Sequence, residues 1–350
     1  MKKKLFDFVK FVLFLSVGLV ILFLVYRDQN QAYQAQCILD GINSSDCSLW
    51  RKVAADFGRV NYFWIAVIIA SFMFSNWSRA ARWKMLIEPL GHNVSTANAF
   101  WTINLGYFAN LGLPRIGEVV RAASMSRYEK IPLEKLIGTI VVDRTLDVLC
   151  LLSVVGLAFM LEFDTLYAFV SDKSGNLSAK GGIFHNIYFQ AVVVLGIIAV
   201  IIAFVFRKRL MESAIGVKVI ALAVGFTEGV LSVKSTSNPI VFLLHTINIW
   251  LMYYLMAYFC FFSFAPTSGL SPVVALMVYT FGAFGILIPS PGGMGTYHVL
   301  VMAALTLYGV NSVDSFSFAN IFFFSVNIFG SIAFGLLALV VLPIINRVKA

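Results

Sequence analysis

Two arginines and one glutamate follow a proline in the middle of an otherwise apolar sequence. Arg115, Glu118 and Arg121 all come after Pro114. On a helix that begins at this proline, the i, i+3 and i+6 spacing places the three side chains on roughly one face. One carboxylate cannot neutralise two guanidinium groups, and a planar guanidinium binds phosphate or carboxylate oxygens with two parallel hydrogen bonds. The stretch therefore predicts an anion-binding site, to which the N–H groups of the helix N-terminus would add.

A second charged group lies inside a long apolar segment. Asp143 and Asp147 share a helix face at i, i+4, and Arg144 can pair with Asp147 at i, i+3. Charged side chains in a bilayer core are costly, and they often pair with one another between helices. We favour an ion-pair network that fixes helix packing, and direct contact with a substrate is the alternative.

A segment rich in glycine and proline, residues 289–298, could present backbone amides to a ligand. Its members are Pro289, Pro291, Gly292, Gly293 and Gly295. Successive glycine N–H groups can cradle an anion, although a tight hairpin tip in which only glycine fits would have the same composition. The spacing matches neither a P-loop nor a dinucleotide fingerprint. His298 could carry a proton, but a packing or hydrogen-bonding role is favoured for it.

The composition places these groups in a membrane. Of the 350 residues, 60% are hydrophobic and 12% are charged, and the mean hydropathy is +0.87. Such a chain has too little polar surface to cover a water-soluble globule of its size. The net charge of +9 would suggest nucleic acid in a soluble protein. In a membrane protein Lys and Arg collect on the cytoplasmic side, so we interpret the charge as topology and predict no nucleic-acid partner.

Six apolar segments are long enough to span a bilayer, which needs about 20 residues. They are residues 5–26, 60–78, 136–161, 187–206, 240–264 and 318–343. Two further apolar regions, 97–113 and 272–288, each run into a proline and glycine cluster and predict re-entrant or broken helical hairpins. Pro114, Gly117, Pro289 and Pro291 would lie at the tips. The predicted fold is an all-α integral membrane protein, with residues 1–350 forming a single transmembrane domain.

The positions of the basic residues predict the orientation of these segments. With the N-terminus inside, most Lys and Arg residues, including those of 2–4 and 207–209, fall on the cytoplasmic side. This assignment works only if each broken region enters and leaves on the same side, so the charge pattern favours hairpins over full spans. We therefore expect a multi-pass protein of the bacterial inner membrane with both termini in the cytoplasm.

The two hairpins would then open from opposite sides of the membrane, with their tips meeting near the midplane. Paired, interrupted apolar segments of opposite orientation are typical of inverted-repeat transporters, whose substrate site lies at the repeat interface. The weakly similar halves would span about residues 60–162 and 240–343. The oligomeric state stays open, because a small-residue spacing such as Gly330 with Gly335 permits helix packing within one chain or between chains.

The remaining polar features have simpler interpretations. Arg79, Arg82 and Trp83 occur at the end of an apolar segment, where an interfacial belt at the headgroups is favoured over a specific lipid site. Cys37 and Cys47 would lie outside the cell, where a disulfide is permitted, and the compartment leaves bridged and free forms equally open. The four cysteines form no CxxC motif and no Cys/His cluster. We therefore predict neither a metal site nor a cofactor.

Three sequence motifs together resemble one known family. They are Leu-Pro-Arg-Ile-Gly-Glu-Val-Val-Arg at 113–121, Asp-Arg-Thr-Leu-Asp at 143–147 and Pro-Gly-Gly-Met-Gly-Thr at 291–296. The combination is similar to the lysylphosphatidylglycerol synthase transmembrane-region family, also called flippase-like domain proteins, over roughly residues 10–345. In the synthases of that family the module is fused to an aminoacyl-transferase domain and is held to flip the aminoacylated lipid. It also occurs alone.

The resemblance implies functional roles for residues in each motif: Pro114, Arg115, Gly117, Glu118 and Arg121, then Asp143, Arg144 and Asp147, and finally Pro291, Gly292, Gly293 and Gly295. This chain departs from the fused members because it contains no synthase domain, so lysylation has no basis here and the substrate is open. It also has Asp143 where glutamate is more familiar in the family.

These features predict a transporter that moves a phospholipid or a polyprenyl-phosphate-linked lipid between leaflets. Arg115 and Arg121 would hold the phosphate, Glu118 would position them or meet an amine, and residues 143–147 would couple the first hairpin to its neighbour. Transport would be facilitated or ion-coupled, because the sequence has no ATP-binding motif. It also has no nucleophile elbow and no metal-ligand pair, so we do not expect an enzyme. The alternatives are a membrane-embedded transferase acting on a lipid-linked substrate, or a non-transporting membrane partner of a lipid-modifying enzyme.

Overall fold

The described part of the chain is helical throughout. The computed structural model describes residues 2–39, 47–112, 116–163, 165, 236–288 and 293–347. These residues contain no β-strand, so the predicted all-α class is confirmed. Several predicted features lie outside the described residues, namely Pro114, Arg115, Pro289, Pro291, Gly292 and the span 187–206.

The helices are named in chain order. They are α1 Lys2–Leu39, α2 Leu49–Arg59, α3 Tyr62–Ile87, α4 Thr96–Gly112, α5 Ile116–Glu129, α6 Leu133–Leu161, α7 Pro239–Ser263, α8 Pro272–Leu287, α9 Thr296–Leu307, α10 Ser312–Phe323 and α11 Ser331–Asn346. We call α4 with α5 the first hairpin and α8 with α9 the second hairpin. Their arms lie side by side in each case.

Three stretches of helix within the described residues are long and apolar enough to cross a bilayer. They are α6, α7 and the continuous run Ser312–Asn346 that contains α10 and α11. Helices α2 and α3 meet at 82° and together form a fourth candidate, as a broken span or a re-entrant loop. These helices are those of a multi-pass membrane protein. The number of six full spans plus two hairpins stays a prediction.

The chain divides into two compact units. The first comprises residues 1–140 and 235–350, and the second comprises residues 141–234. Of the second unit the structure describes residues 141–163 and 165, of which 141–161 belong to α6. The helices that position the candidate site all belong to the first unit. One transmembrane domain with two inverted halves stays a prediction.

Helices α3 and α7 form the centre of the first unit, where they lie against each other. Both begin at an asparagine whose side chain accepts a hydrogen bond from the first turn. Asn61 Oδ1 accepts from Phe63 N at 3.1 Å, and Asn238 Oδ1 accepts from Val241 N at 3.2 Å. Such caps satisfy N–H groups that have no partner inside the helix. Pro239 follows its cap at the first helical position, where a missing N–H costs nothing.

The segment before α3 is fastened to α10. Lys52 Nζ lies 2.6 Å from Asp56 Oδ2 and 2.7 Å from Asp314 Oδ1, and Ser317 Oγ donates to Asp56 Oδ2 at 2.6 Å. These contacts join α2 to α10 by one lysine and two carboxylates. A disulfide links Cys37, near the end of α1, to Cys47, which precedes α2.

A π-helical stretch, Phe324–Gly330, joins α10 to α11. Hydrogen bonds in a π-helix run from residue i to i+5, so the stretch accommodates one extra residue in its turn. It packs against α3, and a Cβ atom built on Gly330 would lie 3.4 Å from two ring carbons of Phe72. Gly330, at the end of the stretch, thus has a neighbour within the chain.

Replacing Gly335 by alanine is expected to weaken the packing of α4 on α11. A Cβ atom on Gly335 would lie 2.6 Å from Phe108 Cγ, too close for any real side chain. The helices must separate to relieve this overlap, and overpacking of this kind costs about 1–3 kcal/mol. The measurement is the thermal midpoint of the detergent-purified chain. Gly112→Ala in α4 is the matched control because its Cβ would meet nothing within 4 Å, and equal midpoints for the two variants would contradict the prediction.

Candidate functional site

The arms of the first hairpin are in direct main-chain contact. A Cβ atom on Gly117 would overlap the carbonyl oxygen of Gly106 and lie 2.7 Å from Asn110 Oδ1. Asn110 Oδ1 accepts a hydrogen bond from Gly117 N at 2.7 Å. Asn110 thus satisfies one of the N–H groups at the start of α5, which would otherwise have no helical partner. The crossing explains why glycine is required at both 106 and 117, and it fixes the register of α5 on α4.

The guanidinium of Arg121 stacks on a tryptophan of α3. Arg121 is 3% exposed, and its Cζ lies 3.8 Å from the centroid of the Trp83 ring. Trp83 is fully buried and donates its indole N–H to Thr139 Oγ1 at 2.9 Å. A cation over the face of tryptophan is attracted by the ring quadrupole. The ring therefore holds Arg121 in place, while Glu118 lies partly buried in the first turn of the same helix.

Two further arginines are buried in α3. Arg79 and Arg82 are 2% and 0% exposed, respectively. Arg79 Nη2 donates to the hydroxyl of Tyr253 at 3.1 Å, and Arg82 Nη1 donates to Thr246 Oγ1 at 3.5 Å. Both acceptors belong to α7.

The interpretation of this segment as an interfacial belt is wrong for Arg79, Arg82 and Trp83. Helix α3 continues to Ile87, and α4 and α7 pack along it, so these side chains lie inside the protein. Trp77, in contrast, is 48% exposed.

Amide and hydroxyl side chains join the same helices. Asn76 Nδ2 of α3 donates to Asn104 Oδ1 of α4 at 3.0 Å, and Asn248 Nδ2 of α7 donates to Ser78 Oγ at 2.7 Å. Tyr107 of α4 lies with its hydroxyl 3.4 Å from that of Tyr253. Hydrogen bonds of this kind hold membrane helices together, because lipid offers no hydrophobic force between them.

The base of the first hairpin is fastened by a separate set of contacts. Glu129 Oε1, at the end of α5, accepts from Asn98 Nδ2 at 2.6 Å and from Ser95 N at 3.0 Å. Asn346 Nδ2 of α11 donates to Asn98 Oδ1 at 2.8 Å. The carboxylate therefore joins the end of α5 to the start of α4, and the Asn98 side chain joins α4 to α11.

The second charged group lies on α6, in the second unit. Arg144 Nη1 is 3.3 Å from Asp147 Oδ2, which is the i, i+3 pair expected from the spacing. Asp143 is fully buried, whereas the side chain of Arg144 is 41% exposed. The role of these residues in coupling stays a prediction.

The described glycines of the second hairpin tip are tightly packed. Gly293 and Gly295 both have φ of +83°. A Cβ atom on Gly293 would lie 3.0 Å from Ile286 Cγ1, and one on Gly295 would lie 2.9 Å from the carbonyl oxygen of Gly18 in α1. Left-handed backbone and close approach both require glycine here. A role in anion binding, shared with Gly292, stays a prediction, as does the meeting of the two tips.

His298 is buried among aromatic rings of the second hairpin and α10. Its ring centroid lies 4.8 Å from that of Phe323 and 6.4 Å from that of Phe316. This environment agrees with the packing role that the sequence favoured.

Comparison with known proteins finds a family that matches most of this chain. The family described as "Lysylphosphatidylglycerol synthase TM region" matches residues 48–334. A curated relative, UPF0104 membrane protein MJ1595 of Methanocaldococcus jannaschii, is 38% identical over 71 residues, which cover 19% of this chain and 21% of that protein. The match thus spans about a fifth of the curated relative. No solved structure matches the chain.

Proposed function

We propose that this chain, which belongs to the lysylphosphatidylglycerol synthase transmembrane-region family, moves a lipid with a phosphate-bearing headgroup between the leaflets of its membrane. The lipid is a phospholipid or a polyprenyl-phosphate-linked lipid. The single observation that carries the proposal is that the buried guanidinium of Arg121, in α5 of the first hairpin, stacks on Trp83 of α3.

The stacking on Trp83 is compatible with phosphate binding by the guanidinium of Arg121. An arginine side chain in a membrane helix costs about 2.5 kcal/mol or more, so its retention in such a protein points to function. Trp83 contacts the flat face of the guanidinium, whereas phosphate oxygens are bound by the N–H groups at its edge. One side chain can therefore stack on the indole and hold a headgroup at the same time.

The other predicted residues complete the proposed site. Arg115 would hold the phosphate together with Arg121, and Glu118 would position them or meet an amine of the headgroup. The glycines at 292, 293 and 295 would contribute from the second hairpin, and residues 143–147 would couple the first hairpin to its neighbour. Transport would be facilitated or ion-coupled, in a bacterial inner membrane with both termini in the cytoplasm.

The similar construction of the two hairpins supports an inverted repeat, and we propose that six full spans accompany it. In each half, a long helix with an asparagine cap is followed by a hairpin whose arms touch through glycine: α3 precedes α4 and α5, and α7 precedes α8 and α9. Inverted repeats place a transporter's substrate site at their interface.

A leaflet-exchange assay in proteoliposomes tests the proposal. With phospholipids labelled in one leaflet, we expect the native chain to accelerate exchange over protein-free vesicles. Arg121→Gln should slow it roughly tenfold or more, because a hydrogen bond to a charged group is lost. Arg127→Gln is the matched control, since this arginine is exposed on the same helix.

Three outcomes of the assay would count against the proposal. Exchange no faster than in protein-free vesicles, for every headgroup tried, would remove it. Equal rates for Arg121→Gln and Arg127→Gln would remove Arg121 from the site. Chemical conversion of the labelled lipid without movement would favour a membrane-embedded transferase instead.

A further inference from the structure

We infer that Arg79, with the hydroxyl groups of Tyr253 and Tyr107, forms a second part of the phosphate-binding site beside Arg121. The inference rests on the proposed function for the identity of the site, and it adds residues from α3, α4 and α7 that the family motifs do not contain. The ligand chemistry is a phosphate group, carried by a lipid headgroup or free in solution.

The first step is the position of Arg79 within the protein. The residue is 2% exposed and lies in the part of α3 that is covered by α4 and α7. Its guanidinium therefore contacts neither the lipid tails nor the headgroup region around the protein. A charged side chain is rarely buried in a membrane protein unless it serves a binding site or a helix contact, and the variants below separate these two roles.

The second step is the chemistry of the groups that contact Arg79. Its Nη2 donates to the Tyr253 hydroxyl at 3.1 Å, and the hydroxyls of Tyr253 and Tyr107 are 3.4 Å apart. A phenol oxygen that accepts a hydrogen bond orients a guanidinium without cancelling its charge. The same hydroxyl can donate its own proton to a phosphate oxygen. One of the two hydroxyl protons is used in the contact between the tyrosines, so the cluster combines one cation with one hydroxyl that can donate to an anion.

The third step is the proximity of Arg79 to Arg121. Trp83 follows Arg79 by four residues, so the two lie on one face of α3 about 6 Å apart along the axis. The Trp83 ring carries the guanidinium of Arg121 at 3.8 Å.

Helix α4 also contacts both groups, because Gly106 lies against Arg121 and Tyr107 lies against Tyr253. A Cβ atom on Gly106 would lie 3.4 Å from Arg121 Cβ, and Tyr107 is the next residue. Arg121 therefore stacks on a residue that lies one helical turn beyond Arg79, and two guanidinium groups in this arrangement suit one phosphate group between them.

The test measures binding to the purified full-length chain in detergent. The readout is the rise in thermal midpoint with added phosphatidylglycerol, with diacylglycerol as the probe that lacks phosphate and inorganic phosphate as the free anion. Preferential binding to the folded state raises the midpoint in proportion to the logarithm of ligand concentration. We expect phosphatidylglycerol to stabilise the native chain and diacylglycerol to have no such effect. If inorganic phosphate stabilises it equally well, the phosphate source is free anion, and if it does not, the source is the lipid headgroup.

Variants at the site decide whether Arg79 binds the ligand. Arg79→Gln should require roughly tenfold more phosphatidylglycerol for the same shift, and Tyr253→Phe should require severalfold more, because each loses a donor to the phosphate. Tyr253→Phe keeps the aromatic ring, so it preserves the packing of α7. The matched control is Ser78→Ala, which removes the contact with Asn248 between the same two helices without touching the cluster. It should lower the ligand-free midpoint and leave the lipid concentration dependence unchanged.

The opposite pattern would overturn the inference. If Arg79→Gln and Tyr253→Phe lower only the ligand-free midpoint, as Ser78→Ala does, the arginine merely joins α3 to α7. A native chain that binds phosphatidylglycerol with this dependence but exchanges no lipid between leaflets would remove the transport proposal and leave the binding residues in place. If the native chain exchanges lipid and both variants bind phosphatidylglycerol with unchanged affinity, the transport proposal stands and Arg79 and Tyr253 are not part of the phosphate-binding site.

Discussion

Replacing Gly117 by alanine is expected to disrupt the first hairpin and to lower the stability of the protein by about 3 kcal/mol. The new Cβ atom would overlap the carbonyl oxygen of Gly106, a main-chain atom that no side-chain rotation can move. Relief requires α5 to leave α4, which also breaks the hydrogen bond from Gly117 N to Asn110 Oδ1. The measurement is the thermal midpoint of the detergent-purified chain.

Gly138→Ala in α6 is the control for this substitution. Its Cβ would meet nothing within 4 Å, and alanine favours a helix over glycine by up to about 1 kcal/mol. The control should therefore unfold at the native temperature or slightly above it. A Gly117→Ala variant that unfolds at the same temperature as this control would show that Gly106 and Gly117 are not in main-chain contact.

The second hairpin should respond in the same way to substitution of Gly285 by alanine. A Cβ atom at this position would lie 2.6 Å from Tyr297 Cα and 2.9 Å from Tyr297 N. These again are main-chain atoms, so α9 must move away from α8. The hydrogen bond from Thr296 Oγ1 to Gly285 O, 2.7 Å long, would be lost with the contact. We expect a loss of about 2–3 kcal/mol in the same thermal assay.

Gly269→Ala provides the comparison for the second hairpin. Gly269 precedes α8, and its Cβ would meet nothing within 4 Å. If Gly285→Ala and Gly269→Ala had equal midpoints, the contact between the arms would make no contribution to stability. A large effect at both Gly117 and Gly285 would indicate that the two hairpins are built on the same main-chain contact.

Hydropathy alone predicted where most helices lie. The predicted spans 136–161 and 240–264 correspond to α6 and α7 within a few residues. The proline and glycine clusters correctly predicted that the apolar regions after 97 and 272 are interrupted, because Gly117 of α5 lies against Gly106 of α4 and α8 ends at Leu287. The first predicted span, 5–26, is in contrast shorter than α1, which continues through polar residues to Leu39. One of them, Asn30, accepts a hydrogen bond from Leu49 N at the start of α2.

The burial of the α3 arginines could not be predicted from the charge pattern. Arginine and tryptophan at the end of an apolar segment are typical of a headgroup belt, and sequence composition does not say which helices cover that end. A usable signal was nevertheless present. Ser71, Ser75, Ser78, Arg79 and Arg82 recur at helical spacing along one face of α3, and all five are buried. A polar face of this kind on a membrane helix indicates contact with protein instead of lipid.

The helix formed by residues 312–346 owes its arrangement of contacts to its π-helical stretch. One extra residue in a turn rotates everything beyond it by about 100° relative to a regular α-helix. Above the stretch, α10 packs on α1, α2 and α9, and beyond it α11 packs on α4. Without the extra residue, Gly335 would point about 100° away from Phe108, and the helix could not serve both hairpins. The π-helical stretch thus sets the rotation between α10 and α11, so that one continuous helix presents one side to α9 and another side to α4.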